Sequence, residues 1–351
     1  MFVKTELEKL TNVYTISKFV NKNSMPKNLL AIRLHEARLM MGYSMEQLAA
    51  ATSHAVTKQS VSRYEKGEMT PRSATLSLLA SALHISEEYF YGTNIHIYTP
   101  MLRNAFKEMP SAEEIQRVEA QLAFWAEQYI EAEKAADMQI PFTPPVPSVV
   151  VSDAESACLA ADALRQAWRC GDGPIPSVLR LMERKGIKIL DRPLPGGVLG
   201  LSTWADGRYP LVVIDMANEK HTVERLRFTA CHELGHLVLN IPQEIDMAER
   251  EKLCNKFAGY FLLPKSTLLE EIGNAARDKV TLDELIDIHD QYGVSVSALV
   301  HELWDFRIIP EEHYHWWYEE VISKNPKEVG RGRYLFPETL GREKRVRGNV
   351  E

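Results

Sequence analysis

Between residues 27 and 92 the apolar positions recur three and four apart, in LLAIRLHEARLMM, SMEQLAAA, KQSVSRYEK and SATLSLLASAL. Gly42, Gly67 and Pro71 break the pattern between them, which predicts a run of short helices. Ser44 and Gln47 have the spacing of a capping box at the second of these. A longer stripe (Ile115, Val118, Leu122, Trp125, Ala126, Tyr129) predicts one amphipathic helix over 111–138, with Ser111 and Glu114 capping it. Such a helix is expected to pack on a neighbouring element or on a second protomer, as in a homodimer.

The stretch IPFTPPVPS over 140–148 has four prolines and cannot be helical. It reads as a stiff linker and marks the main domain boundary. Beyond it, Ser152 with Glu155 predicts a capped helix, followed by the helix SVLRLMERKG and the strand IKIL. VLGLSTWADGRYPLVVID predicts a hairpin around Asp206–Gly207. Helices are expected from about Val223 to Leu239, from about Ile245 to Leu262, and from near Thr281 and Ser295. The organisation expected is therefore a helical head at 27–92, a helix and linker at 93–148, a second domain at 149–322, and a basic tail at 323–351.

The first chemical motif is His232-Glu233-Leu234-Gly235-His236, an HExxH pattern. Two histidines four apart on a helix project from one face and reach a single zinc ion. Glu233 stands beside the first, placed to take a proton from a water that the metal polarises. A His-Glu-His face inside the apolar run FTACHELGHLVL would be hard to satisfy without a metal. A third ligand must come from the next helix. Glu251 shares a face with Met247, Cys254, Asn255, Ala258 and Leu262, expected to point inward, where a carboxylate needs a cation. Glu249 shares its face with Lys252 and Lys256, a solvated pattern, and Glu244 precedes the helix. Glu251 is thus the leading ligand, with Glu244 and Glu249 in reserve. Asn255, one turn on, is placed to orient a ligand. Cys231 and Cys254 read as buried, inert thiols.

RLRFTACHELGHLVLN followed by EKLCNKFAGYFLLP resembles the ImmA/IrrE family of zinc metallopeptidases. The likeness extends upstream to GPIPSVLRLMERKGIKIL and downstream to YGVSVSALVHEL, so it spans about 150 to 320. Cys254 stands where that family commonly has Ala, and Leu263 where it commonly has Met. The resemblance implies a zincin-like fold and cleavage of a repressor-type protein, often under stress control. A zincin also holds its substrate along an edge strand, for which LVVID and VLGLSTW are the sources here. Tyr260, His221, His289 and His301 are open as oxyanion-stabilising donors, with none assigned.

The second motif is TKQSVSRYEKGEMTP, a short helix opened by Thr57 and closed by Gly67. Thr57, Lys58, Gln59, Ser60, Ser62 and Arg63 lie on its first turns, where polar side chains reach base edges and phosphates of DNA. Val61 and Tyr64 are expected to pack inward. Residues 27–92 resemble an XRE-type (Cro/repressor-like) helix-turn-helix, carried by Ser62-Arg63-Tyr64-Glu65 and Gly67. The turn before Thr57 is about two residues longer than usual, with Ala55 where Gly is common. The fold class expected is an all-α helix-turn-helix head plus a mainly α (α+β) zincin-like domain with a small sheet.

Composition bounds these readings. The chain has 351 residues and a net charge of −7, which at first disfavours nucleic acid. By region the balance differs: residues 27–92 hold seven Lys and Arg against six Asp and Glu, and 324–347 hold eight against three. Acidity therefore belongs to the rest of the chain, and DNA stays open as a partner. The basic tail reads as a solvated extension or a contact for DNA, and HYHWWYEE before it is expected to pack on the second domain through Trp316, Trp317 and Tyr318. No apolar run can span a bilayer, MFVKTELEKL lacks the apolar core of a secretory signal, and four scattered cysteines form no disulfide framework. A cytoplasmic location is expected. The expected function is a DNA-binding regulator that is also a zinc-dependent endopeptidase. The alternatives are a regulator or antitoxin whose peptidase-like domain senses a metal or ligand without proteolysis, and a head that recruits a repressor as substrate.

Overall fold

The computed structural model describes residues 29–92, 95–97, 111–145, 149–218, 222–273 and 275–348. It is mostly helical, with one small mixed sheet. The chain clusters into two compact units, one dominated by residues up to Met138 and the other by Gln139–Ser202 and Pro210–Asn349. Residues 1–26 and His221 lie outside the described residues. No described helix is long and apolar enough to cross a membrane.

The first unit opens with α1 (Leu29–Met40), α2 (Met45–Ala51), α3 (Lys58–Glu65) and α4 (Ser73–Ala82). Their inward positions, among them Leu34, Leu48, Val61, Leu76 and Leu79, form one core together with Phe90 of the 3-10 helix Glu87–Tyr91 that follows. Ser44 and Gln47 close the expected capping box on α2, and the Thr57 side chain accepts from the Ser60 amide to start α3. The long turn between α2 and α3 is made by two consecutive left-handed residues, Ser53 (φ 54°) and His54 (φ 60°). Ala55, where a glycine is common, does not carry the positive φ. Thr52 steadies the turn: its hydroxyl donates to the Ala49 carbonyl and accepts from the Val56 amide.

Helix α5 (Ala112–Ala135) packs on α1 of its own chain. Its buried Glu127 pairs with buried Arg33 at 2.6 Å, and the same guanidinium donates to the Tyr89 carbonyl and lies 3.7 Å above the Tyr89 ring. The buried guanidinium thus has a carboxylate, a carbonyl and a ring as partners, the kind of compensation under which a buried pair is tolerated.

In the second unit α6 (Ala154–Trp168) is capped by Asp153 with Ser156, one residue later than Ser152 and Glu155 predict. Helix α7 (Val178–Arg184) leads into β1 (Lys188–Asp191), β2 (Gly200–Ala205) and β3 (Tyr209–Ile214). The sheet order is β1-β3-β2, with β1 and β3 parallel in the register Ile189↔Val212. Strand β3 is buried from Pro210 onward, as a covered central strand must be, which explains its unbroken apolar run. Helices α8 (Val223–Val238) and α9 (Met247–Leu262) pack on each other, and α9 also packs on α6. Then come α10 (Lys265–Ile272), α11 (Leu282–Tyr292), α12 (Val296–Asp305), α13 (Glu311–Trp316) and α14 (Arg342–Gly348).

Two expectations for the C-terminal region are corrected. The segment after 323 is no solvated extension: Arg331, Tyr334, Glu338, Arg342 and Val346 are all buried. Two of its basic residues, Arg331 and Arg342, are themselves among the side chains that pack inward, which charge counting does not register. Of the aromatic cluster, Trp317 is buried and donates to His313 at 3.0 Å, whereas Trp316 is 48% exposed.

Candidate metal centre and recognition helix

HELGH lies in the second half of α8, and α9 brings its own face to it. Gly235 sets how near the two helices come: a Cβ there would stand 3.2 Å from a Phe257 ring carbon and 3.4 Å from Cys254 Sγ. The glycine of the motif therefore serves helix contact rather than a turn.

His232 Nε2 and His236 Nε2 are 3.0 Å apart, and Glu251 reaches them at 3.1 Å (Oε2) and 3.3 Å (Oε1). A tetrahedral zinc with bonds of about 2.0–2.1 Å sets its donors about 3.3 Å apart, so this donor set fits one ion. Among the described residues, these three are the group that could hold a metal. The second ring nitrogens are engaged away from the centre. Asn255 Oδ1 lies 2.9 Å from His232 Nδ1, and Cys254 Sγ lies 3.5 Å from His236 Nδ1. An N–H on Nδ1 donating to each partner leaves Nε2 bare for a metal, the usual arrangement around ligating imidazoles. Without an ion, the histidines pull the Glu251 carboxyl down to about 2: burial pushes it up, but hydrogen bonds with His232 and His236 outweigh that.

The expected reason for Glu251 needs correction. Its face is not inward: the Glu251 side chain is 40% exposed, Asn255 is exposed, and the buried side of α9 is Leu253, Cys254, Phe257, Ala258 and Phe261. Glu251 stands at the edge of the helix contact, where a centre is open on one side. Of the reserves, Glu249 pairs with Lys252 at 2.9 Å and Glu244 is exposed.

Glu233 is not one of the three converging donors; it lies against β2. It is only 7% exposed, and the Ser202 hydroxyl of β2 donates to its Oε2 at 2.6 Å. Sequence reasoning missed Ser202. The signal was Gly200-x-Ser202, two residues on one face of a strand preceding HExxH, too short a pattern to stand out. Cys254, expected as a buried thiol on the face of Glu251, is also the neighbour of His236 Nδ1. Of the oxyanion candidates, the Tyr260 hydroxyl donates to Asp162 at 3.3 Å and His289 sits between Glu224 and Asp290. His301 packs edge-on against Trp304 and Tyr314. A groove of about 1110 Å³ runs beside the centre, lined among others by Arg225, Phe228, Asn255, Ser297 and His301.

On α3, Val61 and Tyr64 are buried as expected, leaving Thr57, Lys58, Gln59 and Arg63 exposed and Ser60 and Ser62 half-buried. Thr57 is committed to capping, with its Oγ1 also 3.0 Å from Ser60 Oγ. Glu65 faces inward, binding both Arg38 and His35.

Residues 182–303 match the peptidase M78 family model, described as an IrrE N-terminal-like domain, and residues 34–90 match a helix-turn-helix family model. No curated protein and no solved structure matches the chain. The chain thus carries, in that order, a segment similar to helix-turn-helix domains and a segment similar to IrrE/ImmA-type metallopeptidases.

Proposed function

We propose that this protein is a DNA-binding regulator whose second unit is a zinc-dependent endopeptidase acting on a repressor- or antitoxin-type protein. The observation that carries the reading is the division of labour on α8. Three donors converge from His232, His236 and Glu251, while Glu233 between the histidines is buried and held separately by Ser202. A site kept only to sense a metal has no use for a second, separately oriented carboxylate.

His232, His236 and Glu251 would hold the zinc, which when bound supplies a Lewis acid for a water and for the peptide carbonyl. Glu233 accepts the proton of the attacking water on its carboxylate and returns it to the leaving amine nitrogen. Asn255 holds the His232 ring in the orientation that presents Nε2. Of the two expected sources for holding extended substrate, β3 is paired on both sides, which leaves β2, whose outer side is already bridged by Ile97 at Ala205. The groove beside Asn255 gives a polypeptide room on one side of the centre.

We assign DNA contact to α3, with Lys58, Gln59 and Arg63 outermost and Ser60 and Ser62 behind them. We assign the chemistry to 149–322 together with the packed segment that follows it. The test is capture: Glu233→Gln protein keeps its zinc and retains a bound protein that wild type cleaves. Zinc-loaded wild type leaving every captured protein intact would contradict proteolysis and favour a sensor. For the head, retardation of the DNA upstream of its own gene that weakens steeply with salt is expected. Indifference to every promoter fragment at low salt would contradict it.

A further inference from the structure

We propose that Ser202 is a positioning residue for Glu233, and that β2 is shaped by Gly200 and Ser202 to fix that carboxylate in one orientation. The inference rests on the reading of Glu233 as the proton acceptor.

Residues two apart on a strand share a face, so Gly200 and Ser202 both meet α8. Ser202 is 3% exposed, and its hydroxyl donates to Glu233 Oε2 at 2.6 Å, a short hydrogen bond. Gly200 lies against the rest of the same side chain. A Cβ there would fall 3.2 Å from Glu233 Cγ, 3.3 Å from its Oε1 and 2.5 Å from Thr229 Cγ2. Only glycine lets the strand come this near, and only this nearness puts a serine hydroxyl on Oε2. With Oε2 engaged, Oε1 is the oxygen left for a water or ligand. A glutamate has three side-chain torsions, the terminal one broad, so without Ser202 the carboxylate would turn among several orientations. Proton transfer needs one of them, held before the substrate arrives.

The test uses full-length zinc-loaded protein and acetohydroxamic acid, a small chelator whose O–H proton needs the neighbouring carboxylate as acceptor when its oxygens bind a metal. Zinc content, melting temperature and hydroxamate affinity are measured for wild type, Ser202→Ala, Ser202→Thr, Glu233→Gln and the Ser202→Ala/Glu233→Gln pair. Ser202→Ala is expected to keep its zinc and bind hydroxamate about tenfold more weakly. Ser202→Thr, which keeps the hydroxyl, restores the affinity. The double variant is expected to bind no more weakly than Glu233→Gln alone, because Ser202 acts through Glu233. Ser202→Ala binding as wild type does, while Glu233→Gln does not, overturns the proposal and leaves the role of Glu233 standing. Glu233→Gln binding as wild type does overturns the role of Glu233 and the proposal with it.

Discussion

Arg227 and Glu338 form an ion pair at 2.7 Å with both side chains fully buried. Arg227 lies on α8, five residues before His232; Glu338 comes from the segment expected to be a solvated extension. Neither charge has a spare valence. Arg227 also donates to the carbonyls of Ile175, Tyr292 and Gly293 and faces the Tyr334 ring. Glu338 also accepts from the Ser177 hydroxyl and the amides of Val178 and Leu179 at the start of α7. One carboxylate therefore joins α8, the N-terminus of α7 and the C-terminal segment.

Removing one partner of such a pair strands the other charge in the interior. Glu338→Ala is expected to destabilise the second unit by about 3–5 kcal/mol in urea unfolding. It is also expected to loosen the C-terminal segment, seen as cleavage there by trypsin under native conditions. A loss below about 1 kcal/mol, the range of a surface pair, would show that the segment is not an integral part of the unit.

The approach of β2 to α8 is set by the absence of a side chain at residue 200. Gly200→Ala places a methyl 2.5 Å from Thr229 Cγ2, and overpacking of this kind costs about 1–3 kcal/mol. Thr229→Ser removes the clashing methyl, so the pair Gly200→Ala/Thr229→Ser should be more stable than Gly200→Ala alone. Strictly additive losses in thermal unfolding would mean that the strand is held away by something else.

In the first unit, Glu36 of α1 is pushed up to about 7 by burial, which Arg33 opposes and Glu127 reinforces. Its unfolded value is near 4.5, so the folded form favours the proton. Stability from this residue is greatest below about 4.5, declines as pH rises to about 7 and then levels. Glu36→Gln keeps the neutral form at every pH. It should slow amide exchange of α1 at pH 8, by the equivalent of about 1–3 kcal/mol, and change little at pH 4. A larger effect in acid than at pH 8 would reverse the sign and refute the assignment.

The parts of this molecule legible in its sequence are those with a strong local period or a short-range partner. The capping boxes at Ser44, Ser111 and Thr281 are present, because each cap satisfies amides three residues away. Glu251 is where helix geometry puts it relative to the histidines, although through position at a helix edge rather than through burial. Long-range pairings left no local trace. Nothing near Arg227 announces Glu338, 111 residues on. Nothing around Glu233 announces Ser202, whose meaning depends on the strand's distance from α8. The turn before α3 misled for the opposite reason: glycine is the expected left-handed residue, yet Ser53 and His54 take that conformation instead.

The central claim is that α8 and α9 together build a zinc site, and metal content tests it most directly. Full-length protein purified without chelators should carry about one zinc per chain, and Glu233→Gln should carry the same. Glu251→Ala, His232→Ala and His236→Ala should each lose most of it while keeping their helical content, because these side chains lie at the open edge of the packing. Protein that is folded yet free of zinc, and that takes up none when zinc is supplied, would contradict the account.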